Sequence, residues 1–131
     1  MLKEELLINV EMNNMKKIKY IVLLLLMIIA SSAKGQSPCG DDLCVVQFNA
    51  GFNEVNKVIW VGELTDCDNK FIDIQTDTKA AGIYKIVVVP TLVIYNNGEE
   101  IERFQANIMM QMEAKQKEVQ EKIDEILMDA F

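Results

Sequence analysis

The apolar run from Ile86 to Tyr95, IVVVPTLVIY, limits the fold more than any other part of this chain. Proline has no N–H to give to a sheet ladder, so no interior strand runs through Pro90. The run predicts a loop or strand end over Val87–Val89 and a central strand over Thr91–Tyr95. Asn97-Gly98 then marks a two-residue hairpin turn, because both residue types accept positive φ. Glu99 to Gln105 becomes the returning strand, and Glu100, Glu102 and Arg103 suit it to a sheet edge.

The remaining chain alternates strands and helices around this hairpin. Cys44 to Asn49, CVVQFN, is short, apolar and β-branched, so it predicts a buried strand. Phe52, Val55, Ile59 and Leu64 fall near helical spacing and predict a helix from Phe52 to about Thr65. Lys70 to Gln75 alternates like a strand. Thr78 to Tyr84 reads as a short helix opened by Asp77 or Thr78. From about Met109 to Ala130 runs an amphipathic helix with a stripe of Met112, Val119, Ile123, Ile126 and Ala130. Glu113 with Lys117, and Glu118 with Lys122, are spaced for ion pairs on its wet face. Met109, Met110 and Met112 read as core filler rather than a metal box. This order of elements gives an α/β fold, a mixed sheet covered on both faces.

The N-terminal segment reads differently. Residues 20 to 33, YIVLLLLMIIASSA, carry no charge, follow Lys16, Lys17 and Lys19, and end in small residues. Fourteen helical residues reach about 21 Å, short of the ~30 Å hydrocarbon core. A basic flank, a short apolar stretch and small residues are the pattern of a signal peptide, here residues 15–35. Cleavage is expected after Gly35, with Ala33 as the other site; the alternative is an uncleaved anchor. Residues 1–14, with Glu4, Glu5 and Glu11, fit poorly, and Met15 makes the better start. Residues 36–131 are then one domain of an exported protein, periplasmic or secreted and bacterial.

Charge and composition narrow the chemistry. The chain has 131 residues, 20 acidic and 13 basic, and no histidine. The commonest general base and zinc ligand is therefore missing, and three cysteines cannot make a four-thiolate zinc site. No cofactor or metal is expected. The acidic balance argues against nucleic acid, whose binding draws on clustered Lys and Arg. Outside the cytosol thiols oxidise, so Cys39, Cys44 and Cys67 could give one disulfide and one leftover thiol. Three pairings stay open, as do three unpaired thiols. Cys44 and Cys67 each precede a predicted strand; if those strands are parallel, the pair shares one end of the sheet and is favoured.

Val45-Val46-Gln47-Phe48-Asn49-Ala50-Gly51-Phe52, with Lys57 one turn on, resembles the active-site strand and turn of thioredoxins. Val89-Pro90-Thr91-Leu92 with Asn97-Gly98-Glu99 resembles that family's cis-proline loop and hairpin. The resemblance covers about residues 44–128. It implies a thioredoxin-like three-layer α/β/α sandwich, a sheet of about four strands with a C-terminal hairpin and helix, and a cis bond before Pro90.

The departures matter as much. The family's Cys-x-x-Cys falls on Asn53, Glu54, Val55 and Asn56, and its buried acid falls on Gln47, which does not titrate. A helix N-terminus lowers a thiol's pKa, but no sulfur stands here to use it. Asn53 reads as an N-cap accepting from the N–H of Val55 or Asn56, with Glu54 favoured in the first turn. As a general acid or base Glu54 has no partner in the sequence. The expected function is a non-catalytic protein- or peptide-binding module. Val89 would pair with an extended segment beside Pro90 and Thr91, and Phe52 would line the groove. The partner is an extended polypeptide or an envelope protein, with membrane contact only through an uncleaved N-terminus. The alternative is a thiol–disulfide oxidoreductase using Cys39 and Cys44, although Asp41 and Asp42 disfavour a thiolate there. A third reading docks the acidic C-terminal helix onto a larger assembly; such a face is more often merely solvated.

Overall fold

The computed structural model describes residues 2–31 and 36–131, with the side chains of 27–31 excepted. Both expected cleavage points lie in or against residues 32–35, outside the described residues. The chain divides into two units, residues 1–34 and residues 35–131. The first is a single helix, α1 (Leu2–Ser31). No helix among the described residues is long and apolar enough to cross a membrane.

The second unit is built on a four-stranded sheet. Its strands are β1 (Cys44–Asn49), β2 (Asp68–Asp73), β3 (Thr91–Asn96) and β4 (Glu99–Gln105), in the spatial order β2-β1-β3-β4. β2 runs parallel to β1; β3 is antiparallel to β1 and β4 to β3. All six residues of β1 are buried, as expected of a strand covered on both faces. Alternation sorts the core into two halves. Cys44, Val46, Phe48, Val93 and Tyr95 face one way, packed by Ile86, Ala81 and Tyr84 around the short helix α2 (Ala80–Ile83). Val45, Leu92 and Ile94 face the other way, against Val58, Val61 and Leu64 and the helix α3 (Gln116–Asp129) through Val119 and Ile123. Asn97 (φ 53°) and Gly98 (φ 81°) close the β3–β4 hairpin in the left-handed region. On β4 the Arg103 guanidinium donates to the carbonyls of Lys85 (2.7 Å) and Tyr84 (2.8 Å), tying this edge to the end of α2.

Several elements differ from the sequence reading, each for a local reason. The helix over Phe52–Thr65 is instead two 3-10 segments, Gly51–Asn56 and Ile59–Glu63. An α-helix would give the Val58 N–H to the Glu54 carbonyl. Here Val58 N–H donates to Gln47 Oε1 at 2.8 Å, and Val58 stays extended. Phe52, Val55 and Ile59, placed on the helix's apolar face, are exposed, and of that set only Leu64 is buried. Strand β2 begins two residues earlier, at Asp68, because Asp68 N–H reaches the Leu43 carbonyl (3.0 Å). It ends at Asp73, whose carboxylate accepts from Gln75 N–H at 2.8 Å. Helix α2 starts at Ala80 with no side-chain cap from Asp77 or Thr78.

Helix α3 begins seven residues later than the periodicity suggests. The Asn107 Oδ1 accepts from the N–H groups of Met109 (2.9 Å) and Gln111 (3.1 Å), and Met110 has φ 57°, so the backbone is committed to a turn. Met109 and Met110 are consequently exposed, and of the three methionines Met112 alone packs on the core. The ion pairs are re-sorted too. Lys117 meets Glu121 (3.9 Å), while Lys122 meets Glu125 (3.4 Å) and Glu102 (4.0 Å) rather than Glu118. Glu113 precedes the helix and accepts from Asn107 Nδ2.

Candidate functional site

The sheet register fixes what meets what at the C-terminal end of β1. Phe48 pairs with Thr91, so Pro90 and Val89 lie level with Asn49 and with the turn that follows it. The Val89–Pro90 peptide is cis. Its neighbours are a knot of amides. Asn53 is 3% exposed, and its Nδ2 lies 3.2 Å from Asn49 Oδ1, 3.3 Å from the Val89 carbonyl and 3.2 Å from the Met110 carbonyl. Asn49 Nδ2 returns a bond to the Asn53 carbonyl (3.2 Å), and Asn56 Nδ2 donates to Asn53 Oδ1 (2.8 Å). One side chain therefore ties the β1 turn, the proline loop and the 106–111 turn together. Asn53 is not the helix cap that its residue type suggests. Its backbone sits off the helical path (φ −113°, ψ 24°), and Ala50 holds the cap position without a side-chain bond.

Gln47, one register step inside, is also buried. Its Nε2 donates to the Val58 carbonyl (2.9 Å) while its Oε1 accepts from the Val58 N–H. An amide matches that backbone pair at both ends; an ionised carboxylate can only accept. Where the resemblance places a proton carrier, the chain has a clamp.

A groove of about 270 Å³ opens beside this knot, lined by Phe52, Ile74, Ile86, Val87, Val88, Val89, Asn107, Ile108 and Met110. Phe52 is 66% exposed and Ile108 97%. The residues singled out from sequence separate here. Phe52 and Val89 line the groove. Pro90 and Thr91 are buried beneath it, and Thr91 Oγ1 donates to the Val88 carbonyl at 2.6 Å. Glu54 and Val55 point to solvent, Glu54 within 3.9 Å of Lys57. Val89 has one carbonyl lone pair engaged by Asn53, and its N–H has no partner among the described residues. Asn49, Asn107, Val87, Ile108 and Met110 were not singled out from sequence. Asn49 had a signal, a polar residue ending an otherwise apolar strand. The 106–111 turn had none, since its methionines imitate a helix.

The cysteines pair differently from the expectation of Cys44 with Cys67. The disulfide joins Cys39 and Cys44, and Cys67 is free. The parallel register does bring Cys44 level with Asp68, next to Cys67. But Cys44 faces the core half around Phe48, while Cys67 packs with Leu43 on the opposite face of the sheet. Sharing an end is not sharing a face. Burial first, then the charges of Asp68 and Asp66, push the Cys67 thiol above its ordinary value. The bridge sits at the Tyr95 end of β1, the pole away from Pro90.

Solved structures that resemble this chain include thioredoxins and designed proteins. A thioredoxin mutant from Halobacterium salinarum aligns over 65% of this chain and 74% of its own at 24% identity, with a TM-score of 0.50. The fold is thioredoxin-like. Thioredoxins from Fasciola hepatica (22% identity, 66% and 82% covered, TM-score 0.47) and Nicotiana alata (24%, 76% and 83%, TM-score 0.47) also match. No family model and no curated protein sequence matches the chain. At these identities the likeness concerns the thioredoxin-like fold alone.

Proposed function

We propose that residues 36–131 form an exported, non-catalytic, peptide-binding domain on a thioredoxin-like scaffold. The observation that carries this reading is the groove beside the cis-proline loop, where Phe52 and Val89 come together and no cysteine among the described residues lines the groove or joins the amide knot. An extended segment would pair with the free Val89 N–H and lay an apolar side chain against Phe52. The two sides of the groove are joined by the Asn53 amide, so its shape does not depend on a thiol's redox state.

The test is an array of capped decapeptides probed with the full-length chain and with its Phe52→Ala and Val89→Asp variants. The expected result is a subset of bound peptides that both variants lose. Binding that survives both substitutions unchanged would overturn the reading.

The Cys39–Cys44 disulfide supports a second reading, a displaced dithiol that exchanges with substrates. Against it, Cys44 is fully buried and the bridge lies at the far pole from the groove. Insulin reduction by the full-length chain decides between them: turnover abolished by Cys44→Ser would establish the enzyme.

A further inference from the structure

The groove's floor is apolar, and an acid stands near each of its ends. At the Phe52 end, Gln75 Oε1 accepts from Phe52 N–H at 2.9 Å, and Asp73 stands beside it, holding Gln75 N–H on one oxygen. At the other end Glu113 accepts from Nδ2 of the lining residue Asn107 at 3.2 Å. A minority of the domain's acids have cations within ion-pair reach: Glu54 has Lys57, Glu100 has Arg103, Glu121 has Lys117, and Glu102 and Glu125 share Lys122. Asp73 and Glu113 have no such partner among the described residues. The single cation adjoining a lining residue in sequence is Lys85. Uncompensated charge at the edge of an apolar cleft selects a partner of opposite sign and steers its approach. A second copy of this chain, with the same net charge of −7, is repelled rather than recruited.

Resting on the peptide-binding reading, we infer that the occupant of this groove is an extended polypeptide whose apolar residues are flanked by lysine or arginine. The apolar side chain fills the space between Phe52 and Met110 while its cationic neighbours meet Asp73 and Glu113. Exposed ion pairs of this kind contribute little each, so the floor supplies affinity and the two carboxylates supply selection.

Three capped hexapeptides test this with the full-length chain by fluorescence polarisation: two leucines flanked on each side by two lysines, two glutamates or two serines. The lysine peptide is expected to bind most tightly, by about fivefold over the serine peptide, the scale of two partly exposed ion pairs. That advantage should vanish in the Asp73→Asn, Glu113→Gln double variant. It should also vanish as salt rises from about 0.05 M to about 0.5 M, where screening shortens to a few ångströms. Equal binding of lysine and serine peptides, lost in Phe52→Ala, would overturn the charge selection and leave the groove reading standing. A lysine preference that persists in the double variant, or in Phe52→Ala, would place the cations elsewhere and overturn it too. Binding of none of the three would overturn this inference, while the decapeptide array separately decides the groove itself.

Discussion

One buried amide, Gln47, and one buried phenol, Tyr95, show how single residues shape this domain. Gln47 satisfies a backbone donor and a backbone acceptor at once. Gln47→Glu keeps the size but leaves the Val58 carbonyl unpaired and buries a charge. Urea unfolding at neutral pH should show a loss of about 2–3 kcal/mol, the cost of an unsatisfied buried group. Tyr95 is buried, and its phenol is pushed up to about 12, by desolvation first and by the charge of Glu100 next. A phenol ionises near 10 in the unfolded chain, so that chain releases its proton first. Below about pH 10 the Tyr95 contribution is fully present; it is lost as pH rises toward about 12. Thermal melts across that window should fall more steeply for the natural chain than for Tyr95→Phe.

The strands and the hairpin were legible in sequence, and the helices were less so. A central strand is marked by what it lacks, and Cys44–Asn49 and Thr91–Tyr95 carry almost no charge. Asn97-Gly98 marks its turn because few residue pairs accept two positive φ values. The helices misled because side chains far away in sequence intercept their backbone donors: Gln47 takes Val58 N–H across eleven residues. The late start of α3 has a nearer cause, the Asn107 side chain, but periodicity is blind to a polar side chain that outbids its own helix. The site was half legible for the same reason. Phe52 and Val89 were visible through the resemblance, whereas the turn that forms the groove's other wall reads as the first two turns of a helix. Asn107→Ala tests that assignment. With its two backbone donors released, the 106–111 turn should loosen, the domain should lose about 1–2 kcal/mol in urea titrations, and groove ligands should weaken with it.

The whole domain has two poles. At one, the β1 turn, the cis-proline loop and the 106–111 turn converge on Asn53. At the other, the Cys39–Cys44 bridge, the Asn97 N–H on the Asp41 carbonyl (3.1 Å) and Lys70 on the Pro38 carbonyl (3.1 Å) fasten the leading loop to the sheet. Cys39→Ser should therefore lower stability by about 2 kcal/mol, the loop-closure value for so short a ring. Peptide affinity at the groove should stay unchanged, so calorimetry and polarisation on one sample separate the two ends. A variant that lost affinity in proportion to stability would show the poles to be coupled.

The bridge also decides how the domain bears mechanical load. A pull applied at Gln36 travels through Cys39 and crosses sulfur to Cys44, so the intervening loop never tightens. Tension then arrives on β1, a central strand held by neighbours on both sides. The domain is shackled by a covalent link at a central strand, and a tug from its leading end reaches the sheet at the pole away from the groove.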